Sequence, residues 1–263
     1  MRIVFPRRQN LLKYDRYVRN SELDLPLSAD SLSDSVQAPV DLIRTLAVFS
    51  EAPASEHMHL WNTLGIEESP SASDYADIFL FQLYPYASVH LGPEGMVGGE
   101  AQNRVAGFWG ALGRNPPPEP DHLASLLGLY ATLSEQIALM GETLGERPRF
   151  SEAETLMTTQ ARDALLQEHI APWVPAYLER MIEISAGPYH SWALLLDKVL
   201  RTEFLRMGVP KRLPLHLRES PPLPDPRTNG ADAFISGLLA SVRTGIILTR
   251  ADLARLASEL DLG

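Results

Sequence analysis

Apolar residues recur every three or four positions along most of the chain, which is the spacing of one buried helical face. The clearest runs extend from Leu123 to Met140 and from Trp192 to Leu200. Candidate strands are limited to Ile3-Val4-Phe5 and residues 245–249, and both are short and isolated. The pattern predicts an all-α fold, a single globular, helical bundle-like domain of about nine to eleven helices.

Helix-start signals support this fold class. Ser71, Ser151 and Thr249 each precede an acidic residue by three positions, the pattern of a capping box. The box at Ser151 predicts a helix whose inward face carries apolar side chains, namely Leu156, Met157, Ala161, Ala164 and Leu165. The other predicted helices cover residues 39–50, 55–64, 75–84, 101–112 and 174–185.

Two segments interrupt the helical pattern. Residues 84–100 are rich in glycine and proline and begin with aromatic residues, whereas residues 208–230 contain six prolines. Loops of this length in compact domains are uncommon and are often functional. The predicted organisation is a basic arm and acidic irregular stretch (1–34), a helical core (35–207), and a proline-rich connection with C-terminal helices packing on that core (208–263).

Charge and composition narrow the classes of function. The 263 residues carry a formal net charge of −10, which argues against a nucleic-acid binder. The absence of cysteine excludes disulfides, thiolate metal sites and a cysteine nucleophile. Because no window approaches 18 uninterrupted apolar residues, the sequence predicts no membrane-spanning segment.

The charge is unevenly distributed. Residues 1–20 hold six basic groups and one acid, a net of +5, and residues 21–75 hold ten acids and only Arg44, a net of −9. Arg7-Arg8 followed by Leu11-Leu12 has features of a twin-arginine export signal, but the apolar run that such a signal needs is missing. These residues are therefore interpreted as a basic surface arm, and the chain as cytoplasmic.

Three histidine-containing segments are candidates for chemistry. His57 and His59 stand two positions apart on a predicted helix, so their side chains point to different sides and chelate a metal poorly. Asp121-His122 follows a run of prolines at the entrance of a helix, where the carboxylate can cap free backbone N–H groups or bind a partner's cation. In the segment from His169 to Pro175, two prolines bracket Trp173, which is either a buried packing residue or part of a site.

Taken together, these segments resemble the TorD/DmsD/NarJ family of redox-enzyme maturation chaperones. The resemblance rests on Pro120-Asp121-His122 followed by Leu123, and on His169…Pro172-Trp173…Pro175 about fifty residues later. Leu80-Phe81 ahead of Tyr84-Pro85-Tyr86-Ala87-Ser88-Val89 supports it, and the resemblance covers roughly residues 35–205. The chain departs from many relatives in having no acid in residues 125–130, which puts in doubt any charged contact made there.

The resemblance implies a cytoplasmic, non-catalytic chaperone without cofactor or metal. It would bind the apo catalytic subunit of a molybdenum-cofactor oxidoreductase, through its N-terminal leader or its mature part, and assist cofactor insertion and assembly before export. The chaperone would be a monomer or a domain-swapped dimer. The residues expected to bind the client or its leader are Tyr84, Tyr86, Trp109, Pro120, Asp121, His122, His169 and Trp173.

The chemistry of a leader agrees with this expectation, since a basic pair requires carboxylates and an apolar run requires an apolar, aromatic groove. Two alternatives stay open. One is a helical metal-dependent hydrolase that uses Asp121, His122 and His169. The other is an assembly factor that recognises no leader.

Overall fold

The computed structural model describes residues 40–259, apart from residues 67, 93–94, 142, 145–146, 149, 220–221 and 240. Strand in this part of the chain is limited to Thr143–Leu144 and Arg147–Pro148, which pair as a small antiparallel hairpin. The all-α fold class is thereby confirmed. The N-terminal arm, the acidic stretch that follows it and the candidate strand Ile3-Val4-Phe5 lie outside the described residues.

The described residues hold more helical segments than the nine to eleven predicted, because several are single turns too short to leave a periodic pattern. In chain order they are α1 (Val40–Val48), α2 (Met58–Thr63), α3 (Ala72–Tyr75), α4 (Ala87–Leu91), α5 (Gly99–Ala111), α6 (Leu123–Gly141), α7 (Glu152–Leu165), α8 (Val174–Ile184), α9 (Gly187–Met207), α10 (Leu215–Glu219), α11 (Pro226–Asn229), α12 (Ala231–Leu239), α13 (Ser241–Thr244) and α14 (Arg250–Glu259). A 3₁₀ turn, Ser55–His57, precedes α2, and π-helical turns, Ala76–Leu80 and Leu166–Ile170, extend α3 and α7.

Helix α6 is the centre of the core, and α1 and α7 both pack along it. It is long and apolar enough to cross a membrane by length and composition, but many of its side chains, including Leu126, Leu127 and Tyr130, are buried against the rest of the protein. Aromatic rings close one side of this core, where Phe49 stacks on Trp61 with ring centroids 3.7 Å apart.

The carboxylate of Glu203 is fully buried in the core. Glu203 on α9 accepts a hydrogen bond from the Tyr130 hydroxyl at 2.5 Å and another from Arg206 Nε at 2.8 Å. Arg206 also donates to Asp163 Oδ1 at 2.8 Å. This pairing satisfies the buried carboxylate and joins α6, α7 and α9.

The predicted capping boxes are all present. At Ser71 and at Ser151 the hydroxyl accepts from the backbone three residues on, and the acid there accepts from the cap's own N–H. Thr249 and Asp252 make the same reciprocal pair at the start of α14.

The predicted inward face of α7 is wrong at its start. Leu156 and Met157 are 58% and 69% exposed. On this helix only Arg162 and Leu165 are buried, so the core covers its last turns more fully than its first. The apolar spacing therefore predicted the helix correctly, but the neighbouring helices cover only part of its length.

After α9 the chain returns across the core and is tied to it at several points. Gln167 Nε2 donates to the Arg212 carbonyl at 2.8 Å, and the Ser241 hydroxyl donates to the His90 carbonyl at 2.8 Å. The N–H of Ala251 donates to Gln82 Oε1 at 3.2 Å. The proline-rich segment thus includes α10 and α11, and the helices after it pack beside residues 82–90.

Candidate partner-binding site

Two segments of the predicted site are joined by backbone hydrogen bonds. The N–H of Leu123 donates to the Pro85 carbonyl at 2.8 Å, and the N–H of Ala87 donates to the Asp121 carbonyl at 3.0 Å. These bonds form an isolated antiparallel bridge between Tyr86 and His122. The aromatic segment at the start of the predicted loop and the Pro-Asp-His motif are therefore side by side.

Asp121 caps a helix, but not the one that it precedes in sequence. Its side chain is fully buried, and Oδ2 accepts a hydrogen bond at 2.9 Å from the N–H of Ser88, in the first turn of α4. The N-terminus of α6 is capped instead by His122, whose Nδ1 accepts from the N–H of Ala124 at 3.1 Å. The second carboxylate oxygen, Oδ1, is buried without a hydrogen-bond partner among the described residues.

His122 is held neutral in this position. Burial lowers its pKa, and the bond from Ala124 requires an unprotonated Nδ1, so the proton is on Nε2. The ring of Tyr86 packs edge-on against it, with centroids 4.9 Å apart. The Tyr86 hydroxyl donates to Glu119 Oε1 at 2.9 Å, and burial together with this carboxylate raises the pKa of Tyr86. Unlike Asp121, Glu119 is exposed.

His90 connects this cluster to the second predicted segment. Its ring stacks on Trp173, with centroids 4.9 Å apart and planes within 10°, and its Nε2–H donates to the Tyr84 carbonyl at 2.9 Å. Trp173 is buried, and its Nε1–H donates to the His169 carbonyl at 2.9 Å. Burial lowers the pKa of His90 to about 4. Trp173 therefore supports the Tyr84–His90 segment from beneath and does not present its ring to solvent.

His169 is buried and faces α5 and α10. Its ring packs against Phe108 at 5.0 Å and lies 6.4 Å from the His216 ring. Burial, then the neighbouring His216 and Arg104, lower its pKa to about 4. Trp109, next to Phe108 on α5, is half-buried against the core.

The structure thus brings Tyr84, Tyr86, Pro120, Asp121 and His122 into one region supported by Trp173, whereas His169 and Trp109 belong to the adjoining α5–α10 side. Sequence reasoning missed His90 and Glu119. Both directly adjoin motifs that carried the resemblance, since His90 follows Val89 and Glu119 precedes Pro120.

The described residues contain no group of three or more His, Asp or Glu side chains that could hold a metal ion. Asp121 and His122 are both engaged in capping backbone N–H groups. This arrangement does not favour the hydrolase alternative.

An exposed apolar surface adjoins the cluster. Leu80, Phe81 and Tyr84 are 47%, 48% and 37% exposed. Two carboxylates near them are exposed as well: Asp77 lies on the turn that ends at Leu80, and Glu119 accepts from the Tyr86 hydroxyl. The charge of Glu119 contributes to a raised pKa of Tyr75, so Glu119 lies close to the turn that leads into Leu80. We call this set of five residues, Asp77, Leu80, Phe81, Tyr84 and Glu119, the acidic–apolar face.

Four of the five residues of the acidic–apolar face, all but Glu119, lie in a stretch of sequence without lysine or arginine. Between Arg44 and Arg104 the sequence has no lysine or arginine but eight acidic residues. A positively charged partner therefore meets carboxylates and no repelling cation from this stretch.

The family model described as "Nitrate reductase delta subunit" matches residues 34–179, more than half of the chain. The chain belongs to this family, and the resemblance to the TorD/DmsD/NarJ chaperones is confirmed. The chain is also similar to the chaperone protein TorD of Vibrio cholerae serotype O1, with 29% identity over 133 residues. That match covers 48% of this chain and 56% of the relative, so the chain spans little more than half the length of this curated protein. All eight predicted site residues lie within residues 34–179.

Proposed function

We propose that this protein is a cytoplasmic maturation chaperone for the catalytic subunit of a molybdenum-cofactor oxidoreductase. It binds the apo subunit at its N-terminal leader and assists cofactor insertion and assembly before export. The family match and the likeness to a TorD chaperone support the chaperone class. The acidic–apolar face is the observation that carries the choice of leader as ligand.

The chemistry of an export leader matches that face. A leader presents a pair of arginines next to an apolar run, and the pair is attracted by exposed carboxylates. The apolar run covers Leu80, Phe81 and Tyr84, and full burial of one such side chain contributes roughly 1.5–3 kcal/mol. Carboxylates beside exposed aromatic and aliphatic groups provide both parts of this recognition.

We assign the eight predicted residues to two groups, those that contact the leader and those that hold the surrounding structure in place. Tyr84 contacts the leader directly, together with Glu119, because both are exposed. Asp121 and His122 fix the two backbone segments, since both cap helices from buried positions. Tyr86 orients Glu119 through its hydroxyl. Pro120 and Trp173 are buried and support the surface from below, whereas Trp109 and His169 lie on the adjoining α5–α10 side.

Calorimetric titration tests the leader step. A synthetic twin-arginine leader is titrated into the purified chain, beside the same peptide with both arginines replaced by glutamine and one with its apolar run replaced by serine. Both altered peptides are expected to bind at least tenfold more weakly. Equal binding of all three peptides would remove the leader from the proposal.

Co-expression tests the maturation step. The catalytic subunit of a molybdenum enzyme from the same organism is produced with and without the chain, and its molybdenum content is measured. The proposal expects a lower molybdenum content per subunit without the chain. An unchanged content would contradict a role in cofactor insertion, and a lower content without leader binding would favour the assembly factor that recognises no leader.

A further inference from the structure

The chain carries a basic, apolar segment of its own that matches the acidic–apolar face. Residues 1–20 have a net charge of +5 and hold six of the 23 lysine and arginine residues. Arg7-Arg8 is followed at short distance by Leu11-Leu12. The exposed carboxylates of the face complement the basic pair, and its exposed apolar side chains complement the leucine pair. Residues 1–20 lie outside the described residues, and their charge and apolar content are those of the sequence.

The described part of the chain begins, at Val40, near one end of the central helix α6, and the acidic–apolar face lies towards the other end. Arg44 pairs with Glu135 in the second half of α6, so α1 begins near the far end of that helix. Glu51, which follows α1, contributes to the raised pKa of Tyr75, so α1 runs from the far end of α6 towards the side of the face. This separation is no greater than the length of α6, whose 19 residues span about 28 Å.

Residues 21–39 are long enough to cover this separation. A chain of that length, fully extended, reaches about 60 Å. A tethered segment that can reach its site is present there at an effective concentration in about the millimolar range. Weak binding by residues 1–20 is therefore enough to occupy a large fraction of the face.

We propose that residues 1–20 bind to the acidic–apolar face of their own chain and compete there with the basic, apolar segment of a partner. This rests on the proposed function for the identity of the partner, but the intramolecular contact does not depend on it. The arm then acts as a built-in competitor, so a partner displaces it only when its own segment binds more tightly than the arm. Weakly binding basic peptides are rejected.

The test uses the full chain and a synthetic peptide of residues 1–20 as the probe. The variant R7E/R8E reverses the basic pair of the arm. The matched control K211E/R212E reverses another adjacent basic pair, which is exposed and outside the face, and changes the net charge by the same amount. We expect R7E/R8E to bind the probe about tenfold more tightly than the wild type, because the tethered competitor is removed. K211E/R212E should bind it within about twofold of the wild type.

Three results overturn the proposal. Equal affinities of the wild type and R7E/R8E show that the arm does not occupy the face. An equal gain in K211E/R212E shows that the gain comes from net charge alone. Tighter binding of the probe when the wild type is diluted shows that the arm binds to a second copy and not to its own chain. If R7E/R8E binds the arm peptide but no twin-arginine leader, the proposed function fails while the intramolecular contact stands.

Discussion

The carboxylate of Asp121 accepts a hydrogen bond at 2.9 Å from the backbone N–H of Ser88, which lies thirty-three residues earlier in the chain. This bond, with the adjoining Tyr86–His122 bridge, fixes the aromatic segment of the site to the entrance of α6. Because Asp121 is fully buried, we propose that it positions this segment and does not meet an arginine of the leader.

Removing the Asp121 carboxylate, which caps α4, should lower the stability of the fold. Asp121→Ala leaves the N–H of Ser88 buried without its acceptor, and the free energy of unfolding should fall by about 1–3 kcal/mol. Asp121→Asn keeps an oxygen acceptor, and the loss should stay below about 1 kcal/mol because Asn caps nearly as well as Asp. Urea denaturation of both variants measures the difference. Wild-type stability in Asp121→Ala would show that the bond contributes nothing.

The same variant separates positioning from direct contact. Because the Asp121 side chain is buried, Asp121→Asn should bind a twin-arginine leader within about twofold of the wild type. A tenfold loss of affinity at unchanged stability would instead restore a direct contact between this carboxylate and an arginine of the leader.

Glu119 is the carboxylate expected to meet the leader. It is exposed and held by the Tyr86 hydroxyl, so Glu119→Gln should weaken leader binding by about 0.2–1 kcal/mol, up to about fivefold. The loss should shrink at high salt, as expected for an exposed contact. Glu152→Gln, an exposed acid at the start of α7, serves as the control in the same calorimetric series and should leave affinity unchanged. Equal effects of the two changes would count against a local contact.

His90 makes the stability of the fold depend on pH. Its pKa is about 4 in the folded protein and about 6.5 when unfolded, so the unfolded state binds the extra proton between these values. Stability contributed by neutral His90 is therefore complete above pH 6.5 and is lost as pH falls towards 4, by about 3 kcal/mol. His169, with a pKa also lowered to about 4, adds a change of the same sign.

The variant His90→Gln tests this dependence, because its amide can still donate to the Tyr84 carbonyl but does not titrate. Denaturation midpoints measured at pH 4.5, 5.5 and 7 should fall less steeply in the variant than in the wild type. Parallel curves would show that His90 contributes nothing to the pH dependence.

The buried carboxylate of Glu203 stabilises the fold at a distance from the site. Glu203→Ala leaves Arg206 and the Tyr130 hydroxyl without this partner, and the free energy of unfolding should fall by about 3–5 kcal/mol. Leader affinity, measured at a temperature where the variant is folded, should stay within about twofold of the wild type. A specific loss of affinity in the folded variant would connect this network to the binding face.

The helices and their starts were predictable because they depend on local sequence. The spacing of apolar residues identified α6 and α9, and capping boxes identified the starts at Ser71 and Ser151. The predicted buried face of α7 was wrong at Leu156 and Met157. Exposure depends on which neighbouring elements cover a helix, and the periodicity of the sequence contains no such information. Helix α4 was missed for a related reason, since one turn between tyrosines and glycines leaves no repeat.

The site was predicted as a set of residues but not as an arrangement. Its members occur in two sequence motifs, and only the fold places Asp121 against Ser88 instead of at its own helix. His90 was missed because its stacking on Trp173 joins parts of the chain that no local pattern connects. Glu119 was overlooked beside Asp121, since exposure alone distinguishes the two carboxylates. The predicted domain boundaries at residues 34 and 207 stay predictions.

Two exposed apolar residues provide the most direct test of the acidic–apolar face. Phe81 is 48% exposed on the face and Leu156 is 58% exposed on α7, so replacing either by serine should change stability by less than about 0.5 kcal/mol. A twin-arginine leader is titrated calorimetrically into Phe81→Ser and Leu156→Ser, each in the wild-type and the R7E/R8E chain so that the arm cannot mask binding. We predict at least a tenfold loss of affinity for Phe81→Ser and none for Leu156→Ser, whereas equal affinities of the two variants in both backgrounds would contradict a leader-binding role for this face.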